Sequence, residues 1–222
     1  MYSVRLMLTR QRQDVADACR RLAAAGLVSG TSGNVSARDG DLVAVTPTGA
    51  VLAELTADDV TVVDRSGSVV GGGLEPTSEL GLHLGIYEHH DADAVVHTHA
   101  PMATALSCVL DEVPCVHYEM LLLGGPVRVA PYHTFGTPEL HAAVLEALLG
   151  RTAALMANHG TIALGADVAA ALRATEVLEW ACTIWWRANA VGTPRVLDEA
   201  ERQAVVDAVV ARRYGATRET EG

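Results

Sequence analysis

Short apolar segments joined in pairs by tight turns constrain the fold of this 222-residue chain most strongly. Three such pairs occur, at residues 34–38 with 42–46, 60–63 with 68–70, and 153–156 with 161–164. The first pair is joined through Asp39-Gly40, a dipeptide typical of β-hairpin turns. Strands joined this closely run antiparallel. The pattern therefore predicts a sheet that is largely antiparallel.

Helical patterns separate these strand pairs. We expect helices at residues 10–25, 77–89, 102–110, 138–149, 167–190 and 198–213, and further strands at residues 94–99, 113–116 and 127–130. The chain shows no internal repeat and no linker-like composition. Alternation of this kind predicts a single three-layer α/β/α domain with a central mixed sheet. We expect this domain to span residues 1–215, followed by a flexible polar tail at residues 216–222.

Composition excludes several classes of function. Apolar residues make up 50% of the chain and charged residues 19%, which is typical of a globular protein. The formal net charge of -11 argues against nucleic acid or an anionic membrane as the partner. No stretch approaches the roughly 20 apolar residues of a membrane span, and no secretory pattern opens the chain. We therefore expect a cytoplasmic protein.

The strand at residues 94–99 carries two histidines that could bind a metal ion. His97 and His99 are two residues apart, so their side chains lie on one face of the strand and can reach the same ion. Two imidazoles are only part of a metal site. Two hydrogen-bonded histidines at the end of a strand are the ordinary alternative, so further ligands are needed to favour the metal.

Two other residues could complete such a site. His159 lies between two predicted strands beside Gly160, and it could equally be a turn histidine bonded to backbone. Glu79 lies in the first turn of a predicted helix, where a carboxylate also complements the helix dipole. Together with the histidine pair they offer three nitrogens and one oxygen, a set that suits zinc or a similar divalent ion.

A phosphate site could adjoin the metal. Thr77 and Ser78 open the helix that carries Glu79, and free N–H groups at a helix start favour an anion. Thr48-Gly49 and the loop at residues 30–34 offer further hydroxyl and amide groups. Each feature also has an ordinary structural explanation, as a helix cap or a turn. The adjacency of Ser78 and Glu79 favours a phosphate bound close to the metal.

Seven short motifs in order resemble a known family. They are Gly-Thr-Ser-Gly-Asn-Val-Ser at 30–36, Thr-Pro-Thr-Gly at 46–49, Pro-Thr-Ser-Glu at 76–79, Val-Val-His-Thr-His-Ala-Pro at 95–101, His-Tyr at 117–118, Pro-Tyr-His-Thr-Phe-Gly-Thr at 131–137 and Asn-His-Gly at 158–160. This series resembles the class II aldolase/adducin superfamily, and within it the L-fuculose-1-phosphate aldolase branch. The resemblance covers nearly the whole chain, and it implies the class II aldolase fold.

The resemblance also implies roles for individual residues. It implies that His97, His99 and His159 hold one catalytic zinc ion per subunit. It implies that Glu79 is the acid/base residue and can ligate the metal before substrate binds. The substrate phosphate is expected on Asn34, Thr48, Gly49, Thr77 and Ser78.

The resemblance further implies a homotetramer with active sites at subunit interfaces, where Tyr118 and Tyr214 would reach the neighbour's site. Without the resemblance, Tyr214 would be taken for an aromatic residue that closes the last helix.

The expected reaction is cleavage of a ketose 1-phosphate, L-fuculose 1-phosphate or a related deoxy-sugar phosphate, to dihydroxyacetone phosphate and an aldehyde. The 222 residues include no lysine, so no lysine Schiff base can form and a metal remains as the electron sink. Alternatives are a pentulose-phosphate 4-epimerase, a sugar-phosphate dehydratase of the same superfamily, and a non-catalytic module like the head of adducin. Glu79 disfavours the epimerase, which carries aspartate there, and the intact histidines disfavour the module.

Overall fold

Six helices and nine strands occur in residues 8–212, the part of the chain that the computed structural model describes. The helices are α1 (Thr9–Ala24), α2 (Leu80–His89), α3 (Pro101–Ser107), α4 (Pro138–Ala147), α5 (Val168–Val191) and α6 (Glu199–Arg212). Short 3₁₀ helices occur at Leu52–Glu54 and Tyr118–Leu123. None of these helices is long and apolar enough to cross a membrane.

The strands form one mixed sheet. They are β1 (Asn34–Asp39), β2 (Leu42–Val45), β3 (Thr61–Asp64), β4 (Val69–Gly71), β5 (Ala94–Thr98), β6 (Glu112–Val113), β7 (Val127–Ala130), β8 (Ala153–Met156) and β9 (Gly160–Gly165). Their order across the sheet is β4-β3-β2-β1-β5-β9-β8-β7-β6. Every neighbouring pair is antiparallel except β7 and β8, which confirms the mixed, largely antiparallel sheet.

Helices cover both faces of the sheet. The apolar residues of α1, α3 and α5 form one core with alternate strand residues such as Ala94 and Val96. The apolar residues of α2 and α4 form a second core with the opposite alternation, which includes Val95. Since strand side chains alternate between faces, His97 points to the same side as Val95, toward α2. The three-layer α/β/α arrangement is therefore confirmed, and the histidine strand lies at its centre.

Several predicted boundaries were wrong; the helix expected at residues 102–110 ends at Ser107, and two others concern segments near the site or the last helix. The helix expected at residues 77–89 begins only at Leu80: Thr77 N–H donates to the Thr46 carbonyl at 3.0 Å, and residues 78–79 form a turn before the helix. Glu79 is consequently the residue before the helix and not part of its first turn. The strand expected at residues 113–116 ends at Val113, and the Cys115 carbonyl accepts a hydrogen bond from Leu197 N–H instead. The predicted tail at residues 216–222 lies outside the described residues.

Candidate functional site

Three histidines come together at one end of the central strands. His97 lies on β5, His99 directly after β5, and His159 in the turn between β8 and β9. One ligand nitrogen from each lies within 4.8 Å of the other two. Nε2 of His97 lies 3.1 Å from Nε2 of His99, close to the separation of about 3.3 Å that two nitrogens have on a tetrahedral zinc ion.

Local backbone geometry brings His159 to the other two histidines. β5 and β9 are paired antiparallel, with Thr98 opposite Thr161, so the turn before β9 lies beside the end of β5. Asn158 adopts a left-handed conformation with φ of 57°, which asparagine tolerates better than most residues. A Cβ at Gly160 would lie 2.3 Å from the Thr98 carbonyl oxygen. Only glycine therefore fits between the two strands at this point.

Hydrogen bonding orients the ring of His97. Its Nδ1–H donates to the backbone carbonyl of Thr161 at 2.8 Å, so Nε2 carries the lone pair that faces the other histidines. The His97 side chain is completely buried. Burial and the neighbouring histidines lower the pKa of His99 to about 4, and burial likewise lowers the pKa of His159. Those two rings are neutral at neutral pH, which is the form that binds a metal ion.

Glu79 completes the group. Its Oε2 accepts a hydrogen bond from Asn34 Nδ2 at 2.8 Å and lies 3.2 Å from His97 Nε2. Its Oε1 lies 3.6 Å from His159 Nε2 and has no hydrogen-bond partner, although it is buried. Burial alone would raise the pKa of Glu79, but His97, the Asn34 hydrogen bond and His159 together hold it below the ordinary value.

These four residues fit a divalent metal ion. A buried carboxylate oxygen without a partner is costly, and a cation beside it would remove that cost. The three converging imidazole nitrogens supply the remaining ligands, and the donor set of three nitrogens and one oxygen is one that zinc accepts. His97, His99, His159 and Glu79 could therefore hold one metal ion together.

An open cavity of about 330 Å³ leads to this group. Residues 31–34 line this cavity, together with Ser78 and Glu79. Tyr132 and Phe135 also line it, and they are 63% and 64% exposed. The cavity is large enough to admit a small organic molecule with both polar and apolar parts.

Comparison with known proteins decides the family. A sequence model of the class II aldolase and adducin N-terminal domain matches residues 13–186. The chain belongs to this family. The family assignment supports lyase chemistry, and class II aldolases use a divalent metal, which is consistent with the histidine group.

Relatives of this class II aldolase family member carry several related names. A "5-deoxy-D-ribulose 1-phosphate aldolase" of Bacillus thuringiensis is 35% identical over 89% of the chain and 94% of the relative. An "L-fuculose phosphate aldolase" of Escherichia coli K12 is 37% identical over 87% of the chain and 91% of the relative. A solved "L-fuculose 1-phosphate aldolase" superimposes with a TM-score of 0.86 at 35% identity, covering 90% of this chain and 96% of the other.

The predicted phosphate residues of this family member lie at different distances from the cavity. Asn34 and Ser78 line it. Thr77 is buried, and Thr48 and Gly49 line a neighbouring cavity. The two loops are nevertheless adjacent, because Thr48 N–H donates to the Glu75 carbonyl at 2.9 Å. The phosphate assignment remains a prediction.

Tyr118 does not line the cavity of its own chain. Tyr118 lies at the start of the 3₁₀ helix Tyr118–Leu123, with its ring stacked on His117 at 4.5 Å between centroids. It lines a groove against α6 instead. Tyr214 lies outside the described residues. Their roles at a neighbouring subunit's site also remain predictions.

Sequence reasoning missed His83. This histidine lies four residues after Glu79 on α2 and is completely buried. Its Nε2 bonds to Asn34 Oδ1 at 2.5 Å, so the Asn34 amide lies between Glu79 and His83. The spacing of four residues was the available signal, since it places two side chains on one face of a helix.

Proposed function

We propose that this chain is a zinc-dependent aldolase that cleaves a ketose 1-phosphate between C3 and C4 into dihydroxyacetone phosphate and an aldehyde. The observation that carries the proposal is the buried carboxylate of Glu79: its Oε1 has no hydrogen bond and lies 3.6 Å from His159, one of the three converging histidines, at the wall of an open cavity. The family assignment supports the same chemistry.

The metal would be held by His97, His99 and His159, with Glu79 as a further ligand before substrate binds. Zinc is our choice because the ligands are mostly imidazole nitrogens. When bound, the ion supplies Lewis acidity that stabilises the negative charge developing on substrate oxygens as the C3–C4 bond breaks. The absence of lysine from the sequence supports this route over a Schiff base.

Glu79 would move the proton at C3. In the synthetic direction its ionised carboxylate removes a proton from dihydroxyacetone phosphate, and in the cleavage direction it returns that proton to the same carbon. The hydrogen bond from Asn34 supports this role because it fixes the carboxylate in one position. The pKa below the ordinary value supports it as well, since the carboxylate is then ionised at neutral pH.

The substrate phosphate would lie at the N-terminal end of α2. Ser78 is exposed in the cavity beside Glu79, and Asn34, which is hydrogen-bonded to Glu79, also lines the cavity. Further polar groups would come from Thr77, which precedes the helix, and from Thr48 and Gly49 in the adjoining loop. Hydroxyl and backbone N–H groups of this kind bind phosphate without a positive charge.

The sugar would be a deoxyketose 1-phosphate with an apolar end. Relatives are named for L-fuculose phosphate and for 5-deoxyribulose 1-phosphate, and both of these sugars end in a methyl group. The exposed rings of Tyr132 and Phe135 could pack against that group. Products would be dihydroxyacetone phosphate and a short aldehyde, which is L-lactaldehyde if the sugar is L-fuculose 1-phosphate.

Assembly as a homotetramer would complete the site. We propose that Tyr118 and Tyr214 of one subunit reach the cavity of its neighbour, where a phenol would bind the departing aldehyde oxygen. The exposed position of Tyr118, away from the cavity of its own chain, supports this arrangement. A cytoplasmic location also stays a prediction.

A coupled assay for dihydroxyacetone phosphate tests the proposal. Purified protein would be offered L-fuculose 1-phosphate, 5-deoxyribulose 1-phosphate and a non-deoxy ketose 1-phosphate, each with and without a chelator. We expect turnover of a deoxy sugar that the chelator abolishes and that zinc restores. Isomerisation of a pentulose phosphate without release of dihydroxyacetone phosphate would indicate an epimerase, and chelator-resistant turnover would exclude the metal mechanism.

A further inference from the structure

A continuous chain of buried polar side chains runs from Glu79 into the space between β1 and α2. Asn34 Nδ2 lies 2.8 Å from Glu79 Oε2, and Asn34 Oδ1 lies 2.5 Å from His83 Nε2. Ser36 Oγ lies 2.6 Å from His83 Nδ1 and 2.6 Å from Tyr87 Oη. All five residues are buried. We call this series the buried polar chain.

Two simple periodicities build the buried polar chain. Asn34 and Ser36 are alternate residues on β1, so both point toward α2. Glu79, His83 and Tyr87 are spaced by four residues at and along α2, so they lie on one side of the helix and face β1. A polar strand face and a polar helix stripe therefore meet in the interior, where apolar residues would ordinarily pack.

The ionised carboxylate of Glu79 fixes the direction of every hydrogen bond. A carboxylate can only accept, so the N–H of the Asn34 amide faces it and the amide oxygen faces His83. His83 must then carry its proton on Nε2, and its bare Nδ1 accepts from the Ser36 hydroxyl. The Ser36 oxygen is left to accept from the Tyr87 hydroxyl. Each donor in the buried polar chain consequently points toward Glu79.

We propose that His83 is a positioning residue for the reaction: its Nε2–H holds the Asn34 amide with the N–H toward Glu79, and Asn34 thereby holds the catalytic carboxylate. The inference rests on the proposed function, in which Glu79 moves the proton. Ser36 and Tyr87 support it by keeping His83 in the tautomer that donates from Nε2.

The alternative arrangement shows what His83 prevents. An Asn34 amide rotated by half a turn would present its oxygen to the Glu79 carboxylate, and two acceptors would face each other without a proton between them. Loss of the Nε2–H donor removes what opposes that rotation. Burial lowers the pKa of His83 to about 3, which keeps the ring neutral and able to accept from Ser36. Hydrogen bonds aligned in one direction also strengthen one another.

Paired substitutions at His83 test the proposal in the metal-loaded protein. His83→Leu has similar bulk and no donor, whereas His83→Gln retains a donor and an acceptor on one amide. We expect His83→Leu to lower kcat about tenfold or more with unchanged metal content, and His83→Gln to remain within about threefold of the parent. Thr175→Ala is the control, because it removes another buried hydroxyl, one bonded only to the Ala171 carbonyl within α5.

Two kinetic results would overturn the proposal. One is a His83→Leu protein with full metal and a kcat within about threefold of the parent. The other is a His83→Gln protein as impaired as His83→Leu, since a role in packing alone is not rescued by a donor. Should His83→Leu fail to fold, Ser36→Ala takes its place. Its kcat should fall below that of Thr175→Ala, and equal values would contradict the proposal.

A spectroscopic measurement tests the buried polar chain without any activity assay. In the ¹⁵N spectrum of the wild-type protein, His83 should show a protonated Nε2 and an unprotonated Nδ1 at neutral pH. The reverse tautomer would overturn the proposal. The tautomer also separates the proposed function from the proposed role of His83. If no ketose phosphate is cleaved but the Nε2–H tautomer is found, the proposed function fails while the structural arrangement of the chain stands.

Discussion

The Oε2 atom of Glu79 lies 3.2 Å from Nε2 of His97, and both side chains are buried. A carboxylate this close to a ring nitrogen either shares a proton with it or shares a cation. Because His97 donates its Nδ1–H to the Thr161 carbonyl, Nε2 carries a lone pair when the ring is neutral. A lone pair facing a carboxylate is repulsive, so the arrangement favours a metal ion between the two.

Replacement of Glu79 by glutamine should separate catalysis from metal binding. Glu79→Gln keeps the shape of the side chain and removes the acid/base group, so we expect folding and most of the metal to be retained while kcat falls at least about 100-fold. Steady-state kinetics and elemental analysis of the same sample provide the measurement. Near-normal cleavage by this variant would show that another group moves the proton.

Removal of one histidine should remove the metal. His97→Ala deletes the most buried of the three candidate ligands, and we expect metal per chain, measured by elemental analysis, to fall from about one to near zero. His89→Ala is the matched control, because this exposed histidine on α2 is hydrogen-bonded only to its own helix, through the Gly85 carbonyl. Equal metal content in the two variants would disprove the ligand assignment.

Gly160 should be intolerant of even one additional carbon atom. A Cβ there would lie 2.3 Å from the Thr98 carbonyl oxygen and 2.9 Å from the ring of His99. We expect Gly160→Ala to lower the free energy of unfolding by about 1–3 kcal/mol and to weaken metal binding, since the strand and the ligand must move apart. Gly73→Ala is the control, because its Cβ would meet nothing within 4 Å. Urea unfolding measures the free energy of unfolding of both variants. A similar decrease in Gly160→Ala and Gly73→Ala would refute the steric argument.

Local patterns in the sequence predicted most of the fold. The hairpin at Asp39-Gly40 was confirmed, with β1 ending at Asp39 and β2 beginning at Leu42, because the turn is determined by its own residues. The start of α2 was predicted wrongly. There the backbone of Thr77 bonds to Thr46, 31 positions earlier in the chain, and no local pattern reports such a partner.

The candidate site was predictable only where the local sequence determines the geometry. His97 and His99 could be paired from strand alternation alone, whereas His159 and Glu79 were candidate ligands with equally ordinary alternatives until the family resemblance favoured them. The role of His83 depends on which strand faces α2, and the sequence does not state that β1 lies there. Asn34 was assigned to phosphate, yet its amide is bonded to Glu79 and His83. Side-chain pairing across two layers requires the tertiary structure.

Loss of the Ser78 hydroxyl should weaken substrate binding more than turnover. Ser78 is exposed in the cavity, whereas Thr48 lines the neighbouring one. If the phosphate binds at the mouth of α2, Ser78→Ala should raise KM about tenfold with a smaller change in kcat, because a hydrogen bond to a charged group contributes about 1.5–3 kcal/mol. Thr48→Ala should have a smaller effect. Saturation curves with the substrate found in the ketose phosphate panel measure both, and an unchanged KM in Ser78→Ala would exclude it from the phosphate site.

The buried histidine His83 should make the metal-free protein sensitive to acid. Burial lowers its pKa in the folded state to about 3 from an ordinary value of 6.5, so between these values the unfolded chain binds the additional proton. The stabilisation is complete above pH 6.5 and is lost as the pH falls toward 3, with a slope approaching about 1.4 kcal/mol per pH unit. His83→Gln cannot titrate, so its stability should fall less steeply. Urea unfolding of both chelator-treated proteins between pH 7 and pH 4.5 provides the comparison, with His89→Ala as the control for an exposed histidine. Parallel curves for the wild type and His83→Gln would show that His83 is not held neutral in the folded protein.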